Sequence, residues 1–286
     1  MPAQDYLERL RDLPVMPEVA AKVIAASGSG ADMSFRELES IIKVDGGLTA
    51  KILKIANSAL YARQREIRNL QTAMTLLGFK NIRSLVLLVS ASQMFPRLAR
   101  SPFYATYWRH SILSAFLSRG IAQRCGRGDA AEELFLCGLL HDIGQAVLFN
   151  GSPEEYQKVL EGERLGAMAR ETLEEQVLDV DHRTLGGEVL RRWNFPSLYV
   201  DTALEHDSLN IASPHKVLIV VVSLASMMAE VLAAGSLSEP RREVFRSLAP
   251  YTCIDPGAVD APLDGWRDEL ARDPLFKEYQ ALFGLS

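Results

Sequence analysis

Apolar residues along the chain recur mainly at three- and four-residue steps, which is the spacing of one face of an α-helix. Leu48, Ile52 and Ile55 follow this spacing. From Leu134 to Leu148 the apolar residues are so dense that the pattern predicts a helix buried on nearly every side. No segment shows a convincing alternation of apolar and polar residues, so the sequence predicts an all-α fold.

Several helix starts carry local capping signals. A hydroxyl and a carboxylate three residues apart can satisfy each other's backbone donors at a helix start, and an aspartate before a proline also favours a start. We therefore expect capped helices after Ser34 with Glu37, after Ser152 with Glu155, and after Asp273 with Pro274.

The proline-containing segment Pro96–Pro102 is the predicted boundary between two helical parts, because all five histidines follow it. A second change occurs near Gly235, after which prolines recur and helices must be short. We expect an N-terminal helical subdomain over residues 1–97, a second helical subdomain over 98–235 and a C-terminal helical extension over 236–286. The sequence does not indicate what the extension does.

The composition is that of an ordinary globular protein, with 48% hydrophobic and 23% charged residues in a chain of 286. This mixture excludes disorder or a coiled coil for the whole chain. The net charge of −5 hides an asymmetry: residues 1–100 hold 14 basic and 9 acidic side chains, and the remainder holds 17 and 27. Such asymmetry indicates either a nucleic-acid face or two parts that attract each other or different partners. No basic run with interleaved aromatics occurs, so nucleic acid is not favoured as a partner.

The cysteines and the apolar runs suggest a location. Cys125, Cys137 and Cys253 contain no CxxC pair, so neither a cysteine zinc motif nor a disulfide framework is expected. The first ten residues lack the apolar stretch of a signal peptide. The purest apolar runs are far shorter than the roughly 20 residues that span a bilayer. We therefore expect a cytoplasmic protein without membrane insertion.

The histidines are the candidate functional residues. Imidazole and carboxylate groups on neighbouring helices can converge on a metal ion. A histidine next to an aspartate can instead form a buried hydrogen-bonded pair that ties helices together. Both interpretations stay open on spacing alone for the residues concerned, which are His110, His141, Asp142, His182 and His206.

Specific motifs favour the metal-site interpretation of these residues over the hydrogen-bonded pair. The segment LCGLLHDIGQAVL at Leu136–Leu148 resembles the signature helix of the HD superfamily of metal-dependent phosphohydrolases, in which histidine and aspartate share a core helix. WRHS at Trp108–Ser111, the segment Asp179–Pro196 and EHD at Glu205–Asp207 resemble the other histidine segments of that superfamily.

The N-terminal part resembles one branch of that superfamily. Three segments, LPVMPEVAAKVI, VDGGLTAKILKIANSALY and IRNLQTAMTLLGFKNIRSLVLL, are similar in kind and order to the HDOD family, the HD-related output domain of bacterial signalling proteins. The resemblance covers about residues 8–235. It implies a multi-helix bundle in which residues 98–235 form the HD-like subdomain.

The resemblance also implies a metal site, and this sequence departs from the superfamily pattern of that site at several positions. His110, His141, Asp142, His182 and His206 match the ligand positions, with Fe, Mn, Mg or Zn as the divalent ion that such a site would take; no cofactor is certain. The final aspartate of the pattern is missing, and Ser226 or Ser223 stands there. A neutral hydroxyl lacks a carboxylate's charge, so metal affinity should be lower. Gln145 replaces the lysine of the HDxGK pattern, and no GYP segment follows His206.

These departures favour a regulatory role over catalysis. HDOD members commonly have incomplete sites and are thought to act through protein contacts. The resemblance therefore implies a signal-transduction protein without catalytic residues, whose partners are unidentified signalling proteins. The alternative is a metal-dependent phosphohydrolase acting on a nucleotide or cyclic dinucleotide. His215 has no role in the pattern and is interpreted as a surface residue, and the oligomeric state is not indicated.

Overall fold

The computed structural model describes residues 16–28, 34–57, 67–166 and 168–285. Throughout these ranges the chain forms helices and turns without a strand, so the predicted all-α fold is confirmed. The described residues fall into two compact units. The first lies within 16–94 together with 193–195, and the second comprises 95–192 and 196–285.

The first unit is built from five described helices around a small apolar core. The helix that begins after Ser34 is capped as predicted. The Ser34 hydroxyl accepts the Glu37 N–H at 3.2 Å, and the Glu37 carboxylate accepts the Ser34 N–H at 2.7 Å. The helices are α1 (Glu18–Gly28), α2 (Phe35–Ile42), α3 (Gly46–Ala56), α4 (Leu70–Leu77) and α5 (Phe79–Gln93).

The second unit contains all five histidines and the C-terminal extension. Its helices are α6 (Phe103–Arg124), α7 (Ala131–Leu140), α8 (Ile143–Gly151), α9 (Pro153–Arg164), α10 (Arg170–Leu178), α11 (His182–Arg192), α12 (Ser197–Glu205), α13 (Lys216–Ala234), α14 (Glu239–Leu248), α15 (Asp264–Arg272) and α16 (Pro274–Leu282). In the centre of the unit α6 packs against α7 and α13, and α11 packs against α8 and α12.

Two apolar stretches are longer than the sequence runs suggest. Ala131–Gly151 and Lys216–Ala234 are long and apolar enough to cross a membrane by length and composition alone. In this structure most residues of both stretches are buried inside the protein, 89% and 67% of them respectively. Here their apolar character serves the core of the second unit.

The continuous helix predicted over Leu134–Leu148 is wrong in one detail. His141 and Asp142 form a two-residue turn between α7 and α8, because Asp142 has φ −97° and ψ 16°, outside the helical region. The histidine and aspartate therefore do not share an uninterrupted helix. The turn places both side chains at a junction between helices.

The capping predictions beyond the first have mixed outcomes. Asp273 caps α16 as expected, since its carboxylate accepts the N–H groups of Leu275 and Phe276 at 2.9 and 3.2 Å. Ser152 precedes α9, but its hydroxyl makes no capping hydrogen bond. Its ψ of 71° departs from the extended conformation of Ser34, whose ψ is 157°.

No disulfide framework is expected from the sequence, but the structure contains one disulfide. Cys125, directly after α6, is bonded to Cys253 in the C-terminal extension, and the buried Cys137 takes no part in this bond. The two partners are 128 residues apart, so only the fold brings them together. Disulfides persist mainly in oxidising compartments, and the expected cytoplasmic location stays a prediction.

Reduction of the Cys125–Cys253 bond should lower the free energy of unfolding by about 2–4 kcal/mol, because the bond restricts a long loop in the unfolded chain. Denaturant unfolding with and without a dithiol reductant measures this. The matched control is the double variant Cys125→Ser/Cys253→Ser, which should not respond to the reductant. Equal stability of the oxidised and reduced wild-type protein would contradict the prediction.

Candidate metal centre

The structure brings together all five residues that the sequence predicts as metal ligands. They converge on the carboxylate of Asp142. Its Oδ2 atom lies 3.5 Å from Nε2 of His110 and 3.4 Å from Nε2 of His141. Its Oδ1 atom lies 3.4 Å from Nε2 of His182 and 3.3 Å from Nε2 of His206.

The five side chains form two groups of three that share Asp142. One group comprises His110, His141 and Asp142, and the other comprises Asp142, His182 and His206. In the first group the remaining pair, the Nε2 atoms of His110 and His141, lies 3.2 Å apart. Ligand atoms about 2.0–2.1 Å from one ion in tetrahedral arrangement are about 3.4 Å from one another. The three separations in the first group therefore fit a divalent ion held by three protein ligands, and the two distances to Asp142 in the second group fit one as well.

The local fold explains how separate segments supply these ligands. His110 lies in the middle of α6, while His141 and Asp142 form the turn between α7 and α8. His182 begins α11 and His206 directly follows α12. Four of the five residues are nearly fully buried, and His110 retains 19% side-chain exposure. The centre thus lies inside the second unit, with His110 on its more accessible side.

Backbone carbonyls orient two of the imidazoles. The Nδ1 atom of His141 lies 2.8 Å from the carbonyl oxygen of Gly138. The Nδ1 atom of His206 lies 3.1 and 3.0 Å from the carbonyl oxygens of Thr202 and Ala203. A carbonyl oxygen only accepts, so Nδ1 carries the proton in both rings. The Nε2 lone pairs are thereby left to face the centre.

A buried carboxylate orients the third ring, and the sequence analysis missed it. Glu174 on α10 is fully buried, and its Oε2 accepts hydrogen bonds from Nδ1 and the backbone N–H of His182 at 2.6 and 2.8 Å. Its Oε1 accepts the hydroxyl of Tyr156 at 2.9 Å. A carboxylate behind a histidine raises the basicity of that ligand. The only signal for it was its place beside Leu173 on the buried stripe of α10.

Charge and burial set the protonation of the centre. Burial lowers the pKa of His110 to about 3 and also lowers that of His141, although Asp142 opposes the effect in both cases. Burial opposes ionisation of Asp142, but the surrounding histidines, His141 first, hold its pKa well below the usual range. Burial likewise works against a charged His182, but Glu174 outweighs it and raises that pKa to about 9. Binding of an ion at His182 should therefore release a proton.

Ser226 on α13 occupies the position at which the superfamily pattern has its final aspartate. The Ser226 hydroxyl lies 3.4 Å from Nε2 of His110. Ser223, the other candidate, donates to the carbonyl of Ile219 at 3.1 Å and accepts the N–H of Asp207 at 2.9 Å. The first group of ligands therefore has a neutral hydroxyl where the pattern has a carboxylate.

The second departure from the pattern, Gln145 in place of a lysine, lies next to an arginine. The buried Gln145 accepts a hydrogen bond from Nη1 of Arg170 at 2.8 Å. A cation from α10 thus lies next to the position of the missing lysine. Arg170 is itself paired with both carboxylate oxygens of Glu163, at 3.0 and 2.9 Å, so its charge is largely balanced.

His215 takes no part in the centre, as expected. Its Nε2 atom lies 3.1 Å from the hydroxyl of Ser197 at an exposed site. It offers a histidine outside the centre for control experiments.

Comparison with known proteins yields a family match and two informative folds. The family profile of the HDOD domain matches residues 13–209. A protein of Marinobacter aquaeolei, provisionally described as a signal transduction protein, superposes with a TM-score of 0.77 at 19% identity over 99% of this chain and 65% of its own. A Shewanella amazonensis protein, provisionally described as a metal-dependent phosphohydrolase, has a TM-score of 0.60 at 21% identity over 97% of both chains. At these identities the likenesses show a shared fold.

One curated relative is longer than this chain. An uncharacterised protein of Treponema pallidum (strain Nichols) is 24% identical over 250 residues. The match covers 87% of this chain and 48% of the relative, so the chain spans about half the length of that protein.

Proposed function

The chain belongs to the HDOD family, and from this premise we propose that it is a signal-transduction protein that acts through protein contacts and retains a metal centre without hydrolysing a substrate. Its partners are unidentified signalling proteins. The observation that carries the proposal is the side chain of Ser226, which faces His110 where the superfamily pattern has a carboxylate.

The ligand chemistry supports metal binding separately from catalysis. Neutral imidazoles and one ionised carboxylate are the ligand set that suits Fe, Mn and Zn. The chain supplies these groups in the required protonation state at His110, His141 and Asp142. A bound divalent ion supplies Lewis-acid chemistry and lowers the pKa of bound water. Without the second carboxylate the protein offers less negative charge to a divalent ion, which lowers the expected affinity and weighs against catalysis.

The second candidate function is a metal-dependent phosphohydrolase. One observation favours it, namely that all the remaining ligands are present and meet on the shared carboxylate of Asp142. Arg170 beside Gln145 adds a guanidinium next to the position of the missing lysine, although Glu163 balances most of its charge. This candidate predicts metal-dependent turnover, which the first candidate does not.

Assays on metal-loaded wild-type protein distinguish the two candidates. We expect no hydrolysis of cyclic dinucleotides, nucleotides or a bis-aryl phosphate above that of the His141→Ala/Asp142→Ala double variant, measured with Mn²⁺, Fe²⁺ and Zn²⁺. Turnover that requires the ion and is abolished in the double variant would overturn the non-catalytic proposal.

The substitution Ser226→Asp should tighten metal binding at the His110 group by about tenfold or more, since it adds an anionic ligand where the hydroxyl now lies. Calorimetric titration with Mn²⁺ measures the affinity. Ser226→Asn is the matched control, because it has the same size without the charge, and it should not tighten binding. Equal affinities of the Asp and Asn variants would show that the missing carboxylate is not what weakens the centre.

A further inference from the structure

The C-terminal extension is firmly attached to α6, the helix that carries His110. Arg119 is paired with Asp273 at 2.9 Å. The guanidinium of Arg124 lies 3.4 Å from the ring centre of Trp266 and is also paired with Glu269. Cation–π contacts and ion pairs at one helix end hold the two segments in a defined position.

Aromatic packing extends this attachment along α6. Phe276 and Tyr279 lie edge-on against Phe116, with ring centres 5.2 and 5.6 Å apart. Phe283 lies 4.6 Å from Trp108. The extension is therefore part of the core of the second unit, although it lies beyond residue 209, where the match to the family profile ends.

Arg241 in the C-terminal extension contacts the residue that directly follows the predicted ligand His206. Its Nη2 atom is 2.7 Å from Oδ2 of Asp207 and 2.7 Å from Oε1 of Glu230. Asp207 directly follows the predicted ligand His206, and Glu230 lies on α13 one turn after Ser226. One guanidinium therefore joins the end of α12 to α13.

The backbone at Asp207 needs such support. Its φ of 62° is in the left-handed region, which costs a non-glycine residue free energy unless neighbours hold it there. Two contacts do so: its N–H donates to the hydroxyl of Ser223 at 2.9 Å, and its carboxylate accepts from Arg241. Without Arg241 the carboxylates of Asp207 and Glu230 would lie close together with no cation between them.

We propose that Arg241 is a positioning residue of the metal centre, which holds Asp207 and thereby the imidazole of His206 from within the C-terminal extension. The C-terminal extension then contributes to the geometry of the metal centre. This inference rests on metal binding by the five-residue centre, as proposed above, and is independent of whether the centre is catalytic.

The test measures metal binding to the full chain in the His110→Ala background, which leaves the group of Asp142, His182 and His206 intact. We expect Arg241→Met to weaken Co²⁺ and Zn²⁺ binding by about tenfold or more and to change the visible Co²⁺ spectrum. Arg241→Lys keeps a cation and should recover part of the affinity.

Arg242 provides the matched control on the same helix. It donates to the carbonyl of Leu237 at 3.2 Å and lies 3.9 Å from Asp260, away from the centre. Arg242→Met should leave Co²⁺ affinity within twofold of the background and the spectrum unchanged. Thermal unfolding of each variant shows whether the protein is folded. If Arg241→Met does not fold, the comparison of Arg241→Lys with the background still tests the proposal.

The outcomes separate this inference from the proposal on which it rests. If the wild-type protein binds no divalent ion, the proposed metal centre is wrong. If the wild-type and His110→Ala proteins bind Co²⁺ but Arg241→Met matches Arg242→Met in affinity and spectrum, the positioning role of Arg241 is wrong.

Discussion

Replacement of Asp142 by alanine should abolish divalent-metal binding at both groups of ligands, with affinity falling by more than about 100-fold, because one carboxylate serves both. Its Oδ2 atom faces His110 and His141, and its Oδ1 atom faces His182 and His206. No other described residue belongs to both groups.

Single-histidine variants give the matched comparison. His110→Ala removes a ligand from one group only, and His182→Ala from the other, so each should lose binding at one group and keep it at the second. Asp142→Asn preserves the size of the side chain without its charge and should behave like Asp142→Ala. His215→Ala should bind as the wild type does, since His215 lies outside the centre.

Metal content by mass spectrometry and calorimetric titration with Zn²⁺ and Mn²⁺ provide the measurement. If Asp142→Ala keeps the wild-type metal content, the five side chains are not a metal centre. The alternative from the sequence would then stand, in which His141 and Asp142 form a buried hydrogen-bonded pair that ties helices together.

Replacement of Gly144 by alanine should lower the free energy of unfolding by about 3 kcal/mol or more, because its neighbours are backbone atoms that cannot move aside. A Cβ atom at Gly144 would lie 1.9 Å from the carbonyl oxygen and 2.7 Å from the carbonyl carbon of His182, and 2.9 Å from the backbone nitrogen of Gly186. To accommodate it, α8 and α11 must separate.

The same separation should disturb metal binding. His182 is a predicted ligand at the start of α11, so moving this helix withdraws its imidazole from Asp142. We expect any folded Gly144→Ala protein to bind Zn²⁺ more weakly at the His182 group than at the His110 group.

Gly265 is the matched control for this substitution. A Cβ atom there meets nothing within 4 Å, and the residue lies in the first turn of α15. Gly265→Ala should leave the free energy of unfolding unchanged or raise it by less than about 1 kcal/mol. Denaturant unfolding of both variants measures the difference, and a Gly144→Ala protein as stable as Gly265→Ala would contradict the close approach of α8 and α11.

The five candidate ligands could be predicted from the sequence because each one lies in a recognisable local pattern. His141 and Asp142 stand within an apolar run, and His206 stands between two acidic residues. The charged residues that contact His182 and Asp207 could not be predicted from the sequence. Glu174 lies eight positions before His182 and Arg241 lies 34 after Asp207, and neither interval carries a pattern.

Choices between near neighbours also required the structure. Ser223 and Ser226 are three residues apart on one face of α13, so helical spacing cannot tell which one faces His110. The same holds for the helix starts, where Ser34 and Ser152 have identical capping spacing but different backbone conformations. In both cases a side chain's partner depends on the local backbone angle and the neighbouring helix.

The sequence by itself determined the all-α fold, its family and the five residues that meet at the centre, because hydrophobic spacing and short motifs are properties of neighbouring residues. Only the tertiary structure decided that Asp142 joins the two groups of three side chains, that Cys125 pairs with Cys253, and that Arg241 of the C-terminal extension pairs with Asp207 next to His206. These are contacts between segments distant along the chain, and the packing of helices sets their distances.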